Sequence, residues 1–268
     1  MNILYCGDRG VLEGIALSVL SACKHTSEPI SVYVLTASVG DRTAICAEDL
    51  KMLSDLVTAK NAENRLTLID LTDRFYTYLP LANMDTRFTP LCMLRLFADT
   101  VVEIPDKILY LDADVLCRAD FSDMYYTDVS DIEIAGVPDR YGKWFFGNVL
   151  LHNYLNSGVL LMNMKRIRKS GLFKKCRRMC RDKKMFMPDQ SALNKLAIKR
   201  KLPRRYNEQG RIRPDTVLKH FTTFFKFFPY VRAVTIKPWD EKKLHGELGI
   251  FEFDGIIEEY RRSINYET

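Results

Sequence analysis

The 268-residue sequence contains no apolar run approaching the ~20 residues that a membrane span needs. Its longest such stretch, residues 15–23, is too short and carries Ser18 and Ser21. The N-terminal MNILYCGD opens directly on a strand-like run. A basic start, an apolar middle and a small-residue cleavage site, the marks of a secretory leader, are all missing. The seven cysteines are odd in number and scattered, with no C-x-x-C pair, which argues against a disulfide framework. Cys176 and Cys180 lie one helical turn apart without a second pair or a histidine nearby. They read as ordinary thiols in a helix groove rather than a zinc site. Reduced cysteines and no leader place the expectation in the cytosol. The chain also lacks internal repeats, low-complexity tracts and a clear linker, and its length suits one large domain or two small ones.

What is present is ordinary in amount and uneven in placement. A content of 47% hydrophobic and 28% charged residues is that of a globular protein with a sizeable core. Residues 1–150 hold 13 Lys and Arg against 22 Asp and Glu, whereas residues 151–268 hold 27 against 12. Much of the positive charge falls in KRIRKSGLFKKCRRMCRDKK, residues 165–184. A basic half suits an anionic partner, whether phosphates, nucleic acid or an acidic membrane surface. The plain alternative is a solvated helix face.

Strand and helix signals alternate in the first half, which predicts βαβ units and a mostly parallel sheet. Strands are expected at residues 2–6, 31–35, 65–69, 108–111, 132–137 and 158–162. Helices are expected at 11–24, 46–58, from Thr89-Pro90 onward, at 165–183, from Pro188 to about Ile198, and at 253–264.

KILYLDADVLC, residues 107–117, carries the chemistry. A hydrophobic strand runs into Asp112-Ala113-Asp114, and like charges at the end of a core element need something positive between them. Ligands bind at the carboxyl ends of strands in α/β sheets. In an extended segment, residues two apart point to one side. Both carboxylates can then share a hard divalent cation, Mn²⁺ or Mg²⁺, which would bridge the phosphates of a nucleotide. The alternative is a surface turn with two solvated aspartates.

Further polar residues stand where a ligand would. Asp8 follows the first strand and Gly7, and could accept hydrogen bonds from a base or ribose. Arg95 lies on a mostly apolar helix, as a phosphate contact or a structural ion pair. Asn156-Ser157-Gly158 precedes a hydrophobic strand. Asp189 and Gln190 follow Pro188 at a helix start, where Asp189 is either a cap or a cleft residue. His220 is a metal ligand or an ordinary buried histidine.

Taken in order, these pieces resemble glycosyltransferase family 8, over roughly residues 1–240. The motifs are a strand ending in Gly-Asp, a helix with Arg-Leu, KILYLDADVL, LNSGVLLMN, PDQSALN and finally HF…KPW. The resemblance implies an α/β GT-A fold with a Rossmann-like central sheet, one domain spanning residues 1–268. Residues 1–164 would form a nucleotide-sugar-binding half and 165–268 a basic, acceptor-side half. It implies retaining transfer of a hexose from a UDP-sugar to a glycan or glycolipid, such as lipopolysaccharide. Asp112, Asp114 and His220 would ligate Mn²⁺ or Mg²⁺. Cys6, Gly7 and Asp8 would meet the uridine, and Arg95, Ala113, Asn156 and Ser157 the rest of the donor. Asn156, Asp189 and Gln190 would surround the transferred sugar, with Gln190 and Asp189 as the catalytic residues; Lys237 would hold the diphosphate, and Asp139 would contact sugar or acceptor.

Two departures stand out. Val11 occupies a position where many family members stack an aromatic ring on uracil. His220 and Lys237 are 17 residues apart instead of about six, so either the aromatic-rich intervening segment loops out or Lys226 takes over the phosphate; the intact Lys237-Pro238-Trp239 favours the loop. Gln190 is a poor nucleophile, so retention is expected to proceed by same-face attack. The aromatic segment 221–230 reads as core, or, with the basic helix, as a contact with an anionic membrane on the inner face of the cell. A haloacid-dehalogenase-like phosphohydrolase also uses D-x-D after a strand, but normally near the N-terminus. A non-catalytic polyanion binder would rest on charge alone, and no nucleic-acid recognition motif accompanies it.

Overall fold

The computed structural model describes residues 1–86, 89–142, 153–226, 230 and 232–265. The chain opens with β1 (Asn2–Gly7), α1 (Leu12–His25), β2 (Ser31–Thr36), α2 (Ala47–Lys60), β3 (Arg65–Asp70) and the short α3 (Thr72–Thr77). A 3-10 helix over Pro90–Thr100 follows, with the Thr89 hydroxyl accepting from Leu91 N–H and Pro90 in the first turn. Then come β4 (Lys107–Leu111), β5 (Val115–Cys117), α4 (Ser122–Tyr125), β6 (Ile134–Pro138) and β7 (Leu155–Asn163). Helices α5 (Met164–Ser170), α6 (Leu172–Asp182) and α7 (Pro188–Leu196) lead to β8 (Lys199–Lys201) and β9 (Leu218–His220). The hairpin of β10 (Phe224–Lys226) and β11 (Arg232–Val234) precedes the last helix, α8 (Asp254–Asn265).

Seven strands form one sheet in the order β3-β2-β1-β4-β7-β6-β8. Pairings β2–β3, β1–β2, β1–β4 and β6–β8 are parallel, and β7 runs against both β4 and β6. From β1 the chain turns one way to β2 and β3, then returns to β4 on the other side. The carboxyl ends of β1 and β4 therefore flank the switch point where ligands bind in open α/β sheets. Because β7 is reversed, its first residues lie at that same edge.

The alternation of side chains sorts the core into two layers. Ile3, Tyr5, Val32, Val34 and Leu109 pack beneath α1, α2 and α8. Leu4, Leu35, Ile108 and Tyr110 pack beneath the 3-10 helix, α6 and α7. Each fully buried Leu, Ile or Val contributes about 1.5–3 kcal/mol to holding these layers.

Three local expectations are corrected. The basic helix expected over 165–183 is two helices, because Gly171 adopts a left-handed φ of 66° between α5 and α6. Asn156 and Ser157 lie inside β7 rather than before it. Asp112-Ala113-Asp114 is a turn, closed by Val115 N–H on the Asp112 carbonyl at 3.1 Å, not an extended segment. The aromatic segment after His220 divides between environments. Phe221 is core, Tyr230 is 65% exposed, and Phe227 and Phe228 lie outside the described residues, as does the Lys226 side chain. Cys176 and Cys180 are buried free thiols.

Candidate active site

The turn after β4 is pinned from three sides. Asp112 N–H donates to the Gly158 carbonyl at 2.8 Å, which ties the turn to the start of β7. Strand β5 pairs antiparallel with β9, setting Val115 opposite His220, and Phe221 N–H donates to the Asp114 carbonyl at 3.0 Å. His220 is thereby delivered to the two aspartates from more than 100 residues away. Its Nε2 lies 3.1 Å from Asp114 Oδ1 and 3.7 Å from Asp112 Oδ2.

Each ligand atom is aimed by a second contact. Asp112 Oδ1 accepts from Tyr110 O–H at 2.6 Å and from Arg95 Nη2 at 2.9 Å, which leaves Oδ2 facing His220. Burial holds the Tyr110 hydroxyl well above its ordinary pKa despite Arg95, so it stays a donor. His220 Nδ1 meets Asn207 Oδ1 at 3.1 Å, while Asn207 Nδ2 donates to Asn156 Oδ1 at 3.0 Å. With its NH₂ so engaged, Asn207 turns its oxygen to Nδ1, which leaves Nε2 as the nitrogen that faces the aspartates. Lys237, returned by the β10–β11 hairpin, reaches Asp114 Oδ2. Burial alone would raise the Asp114 carboxyl, but His220 and Lys237 together hold it well below the usual carboxylate range.

These groups suit a divalent cation. Ligand atoms of Asp112, Asp114 and His220 all lie within 4.8 Å of one another. Gly158 makes the space: a Cβ there would sit 2.1 Å from His220 Cε1 and 2.6 Å from Asp112 Oδ2. Two carboxylate oxygens and one imidazole nitrogen are ligand types for a divalent cation of the Mn²⁺ or Mg²⁺ kind.

A second cluster lies beside the first. Arg95, only 3% exposed, joins Asp112 to Asp189 through Nε at 3.3 Å from Asp189 Oδ2, and also donates to the Ser157 carbonyl. Gln190 Oε1 accepts from Ser157 N–H at 2.8 Å, and its Nε2 donates to Asp139 Oδ2 at 3.2 Å. Asp139 Oδ2 also accepts from Asn156 at 3.0 Å. Asn194 Oδ1 accepts from Leu155 N–H while its Nδ2 donates to the Leu155 carbonyl, which fastens α7 to β7. Asp189 and Gln190 thus stand on a rigid helix start.

Asp8, at the end of β1, is 4% exposed. Its Oδ1 accepts from Gly10 N–H at 2.9 Å and its Oδ2 pairs with Arg42 Nη1 at 3.0 Å. Cys6, Gly7, Asp8, Arg95, Asp112, Ala113, Asp114, Asp139, Asn156, Ser157, Asp189, Gln190, His220 and Lys237 all line one cleft of about 410 Å³. Ala113 and Trp239 close on α1 at Gly14, where a Cβ would stand 2.6 Å from the Ala113 carbonyl oxygen and 2.3 Å from Trp239 Cζ3. Every site residue expected from the sequence is therefore at the same cleft. The reading missed Arg42, Asn207, Tyr110 and the space at Gly158. Asn207 sits in Arg-Arg-Tyr-Asn-Glu-Gln-Gly, which carries no hydrophobic period and resembles a surface loop.

The profile of glycosyl transferase family 8 matches residues 2–243. The chain belongs to glycosyltransferase family 8. A lipopolysaccharide 1,2-glucosyltransferase of Escherichia coli K12 is 24% identical over 94% of this chain and 83% of its own length. The lipopolysaccharide glucosyltransferase WaaO of the same strain is 23% identical over 90% of this chain and 73% of its own. Among solved structures, the galactosyltransferase LgtC in complex with donor and acceptor sugar analogs superposes with a TM-score of 0.71 at 19% identity, covering 96% of this chain and 94% of that one. The fold is the expected GT-A fold, a mostly parallel α/β sheet flanked by helices. As a family 8 member the protein is a glycosyltransferase, and the phosphohydrolase reading is not supported. No helix among the described residues is long and apolar enough to cross a membrane.

Proposed function

We propose that this enzyme moves glucose or galactose from a UDP-sugar to a hydroxyl of a surface glycan or lipopolysaccharide, with retention of configuration and with Mn²⁺ held by Asp112, Asp114 and His220. The observation that carries the reading is the convergence of those three side chains at the carboxyl end of β4, in one cleft with Asp8, Asp189 and Gln190. A bound divalent cation would neutralise charge on the departing diphosphate. Lys237, on the same carboxylate, adds a point charge for the diphosphate. Asp189, oriented by Arg95, directs sugar hydroxyls. The Gln190 amide is committed on both sides, to Ser157 N–H and to Asp139. That engagement supports same-face attack, in which a diphosphate oxygen takes the acceptor proton, over a covalent intermediate on Gln190.

The first test is calorimetric titration of UDP with and without Mn²⁺, followed by UDP-glucose and UDP-galactose. The expected result is binding that needs Mn²⁺, disappears in Asp112→Ala, and is tighter for one sugar. Metal-independent binding, or none, overturns the reading. The acceptor would be met at a membrane surface on the cytosolic side. The exposed Lys174, Lys175, Arg178 and Arg181 of α6 support this placement. Flotation with anionic liposomes tests it, and an absence of salt-sensitive binding rejects it.

A further inference from the structure

Three cationic side chains line the cleft among the described residues, and they differ in what is left for a ligand. Arg95 is 3% exposed and closed in by Asp112, Asp189 and the Ser157 carbonyl. Lys237 is directed at Asp114. Arg42 has a side chain 44% exposed, and Asp8 takes one of its five N–H donors. Nearly half of that side chain is open to solvent at the cleft wall.

The backbone holds Arg42 in place. Val39 and Arg42 exchange hydrogen bonds at 3.0 and 3.2 Å across a tight turn, which Gly40 completes at φ 62°. Arg9 N–H then donates to the Thr43 carbonyl at 3.0 Å, so this turn is laced to the segment after Asp8. Arg42 and Asp8 consequently form one wall of the cleft with Gly7 and Val11. Val11 is aliphatic and has no π face to offer a base.

We infer that Arg42 is the nucleobase-positioning residue of this enzyme, laying its guanidinium plane on the pyrimidine ring while its edge holds Asp8. The inference rests on the proposed UDP-sugar donor. Arginine is suited to both tasks at once, because its fork binds a carboxylate and its delocalised face stacks on aromatic rings. A lysine could hold Asp8 but could not stack. Asp8, aimed by that fork, then accepts the ring N–H that uracil has and cytosine lacks.

The test is titration of UDP and UMP, with Mn²⁺ present, into wild type, Arg42→Ala, Arg42→Lys and Arg42→Trp, each checked for an unchanged melting temperature. Arg42→Ala is expected to weaken both ligands about 5- to 30-fold, the scale of one base stacked on an arginine or aromatic face. Arg42→Trp is expected to restore most of that loss, and Arg42→Lys little of it. Rescue by lysine and not by tryptophan would make Arg42 only the counter-charge of Asp8 and would overturn the inference. So would a loss confined to UDP, which would assign Arg42 to the second phosphate. If wild type binds neither ligand, the donor reading itself falls, and this inference with it.

Discussion

The imidazole of His220 is held by Asn207, whose side-chain oxygen lies 3.1 Å from Nδ1 and whose NH₂ is spent on Asn156. That contact fixes which nitrogen faces Asp112 and Asp114. Partners of this kind change metal affinity about 10- to 100-fold when removed, without touching the ion. Asn207→Leu is therefore expected to weaken Mn²⁺ binding by that factor, measured by the free-Mn²⁺ spin-resonance signal during titration of the protein alone. Asn207→Asp, which keeps an acceptor at Nδ1, should retain more affinity than Asn207→Leu. Equal loss in both would mean that Asn207 acts through packing and not through its contact with Nδ1.

Gly158 is where β7 passes under the site. A methyl group there has to displace His220, whose Cε1 would be 2.1 Å away, or Asp112. Overpacking of this sort costs about 1–3 kcal/mol, and a shift of about 1 Å in reacting groups costs on the order of 100-fold in rate. Gly158→Ala should cut transfer by at least about that factor while the melting temperature falls only a few degrees. Full activity in Gly158→Ala would show that the close approach of His220 and Asp112 is not needed for transfer.

Arg9 and the Cys46 backbone hold Asp49 at the start of α2, through Nε at 2.6 Å and N–H at 2.8 Å. The hydrogen bond from Arg9 brings the Asp49 carboxyl down to about 2. A folded pKa below the unfolded value of about 4 contributes stability above pH 4 that disappears as pH falls toward 2. Asp49→Asn lacks that contribution. Wild type should melt about 2 °C higher than Asp49→Asn at pH 6, and the gap should narrow steadily between pH 5 and pH 3. A gap that does not change with pH would assign the difference to hydrogen bonding alone.

How much of this was legible in the sequence follows from what each residue's signal depends on. Asp112 and Asp114 announce themselves, because two carboxylates at the end of Ile108-Leu109-Tyr110-Leu111 violate the rule that core elements avoid unpaired charge. The parallel strands β1, β2 and β4 were equally readable as short apolar runs separated by helical periods. The direction of β7 was not, since a strand buried along nearly its whole length reads the same forwards and backwards. The break at Gly171 was masked by basic residues on both sides that continue a helical pattern. Arg42 sits in Val-Gly-Asp-Arg-Thr, which looks like any solvent turn. Its place beside Asp8 comes from the lacing of Arg9 to Thr43, a contact across 34 residues with no local trace.

Arg95 bears the heaviest structural load in the site. It is buried with its guanidinium 4.0 Å over the Tyr110 ring, and it bridges Asp112 and Asp189 at 2.9 and 3.3 Å. Removing one partner from a buried ionic cluster leaves uncompensated charge and costs about 3–5 kcal/mol. Arg95→Met should therefore lower the melting temperature by about 10 °C. Arg95→Lys should recover little, because one ammonium cannot reach Asp112, Asp189 and the Ser157 carbonyl together. The origin of the loss can be separated by a second substitution. If stranded carboxylates are the cause, Arg95→Met combined with Asp189→Asn should be more stable than Arg95→Met alone, although Asp189→Asn by itself destabilises the wild type. Simple additivity of the two changes would instead attribute the effect of Arg95 to lost packing against Tyr110.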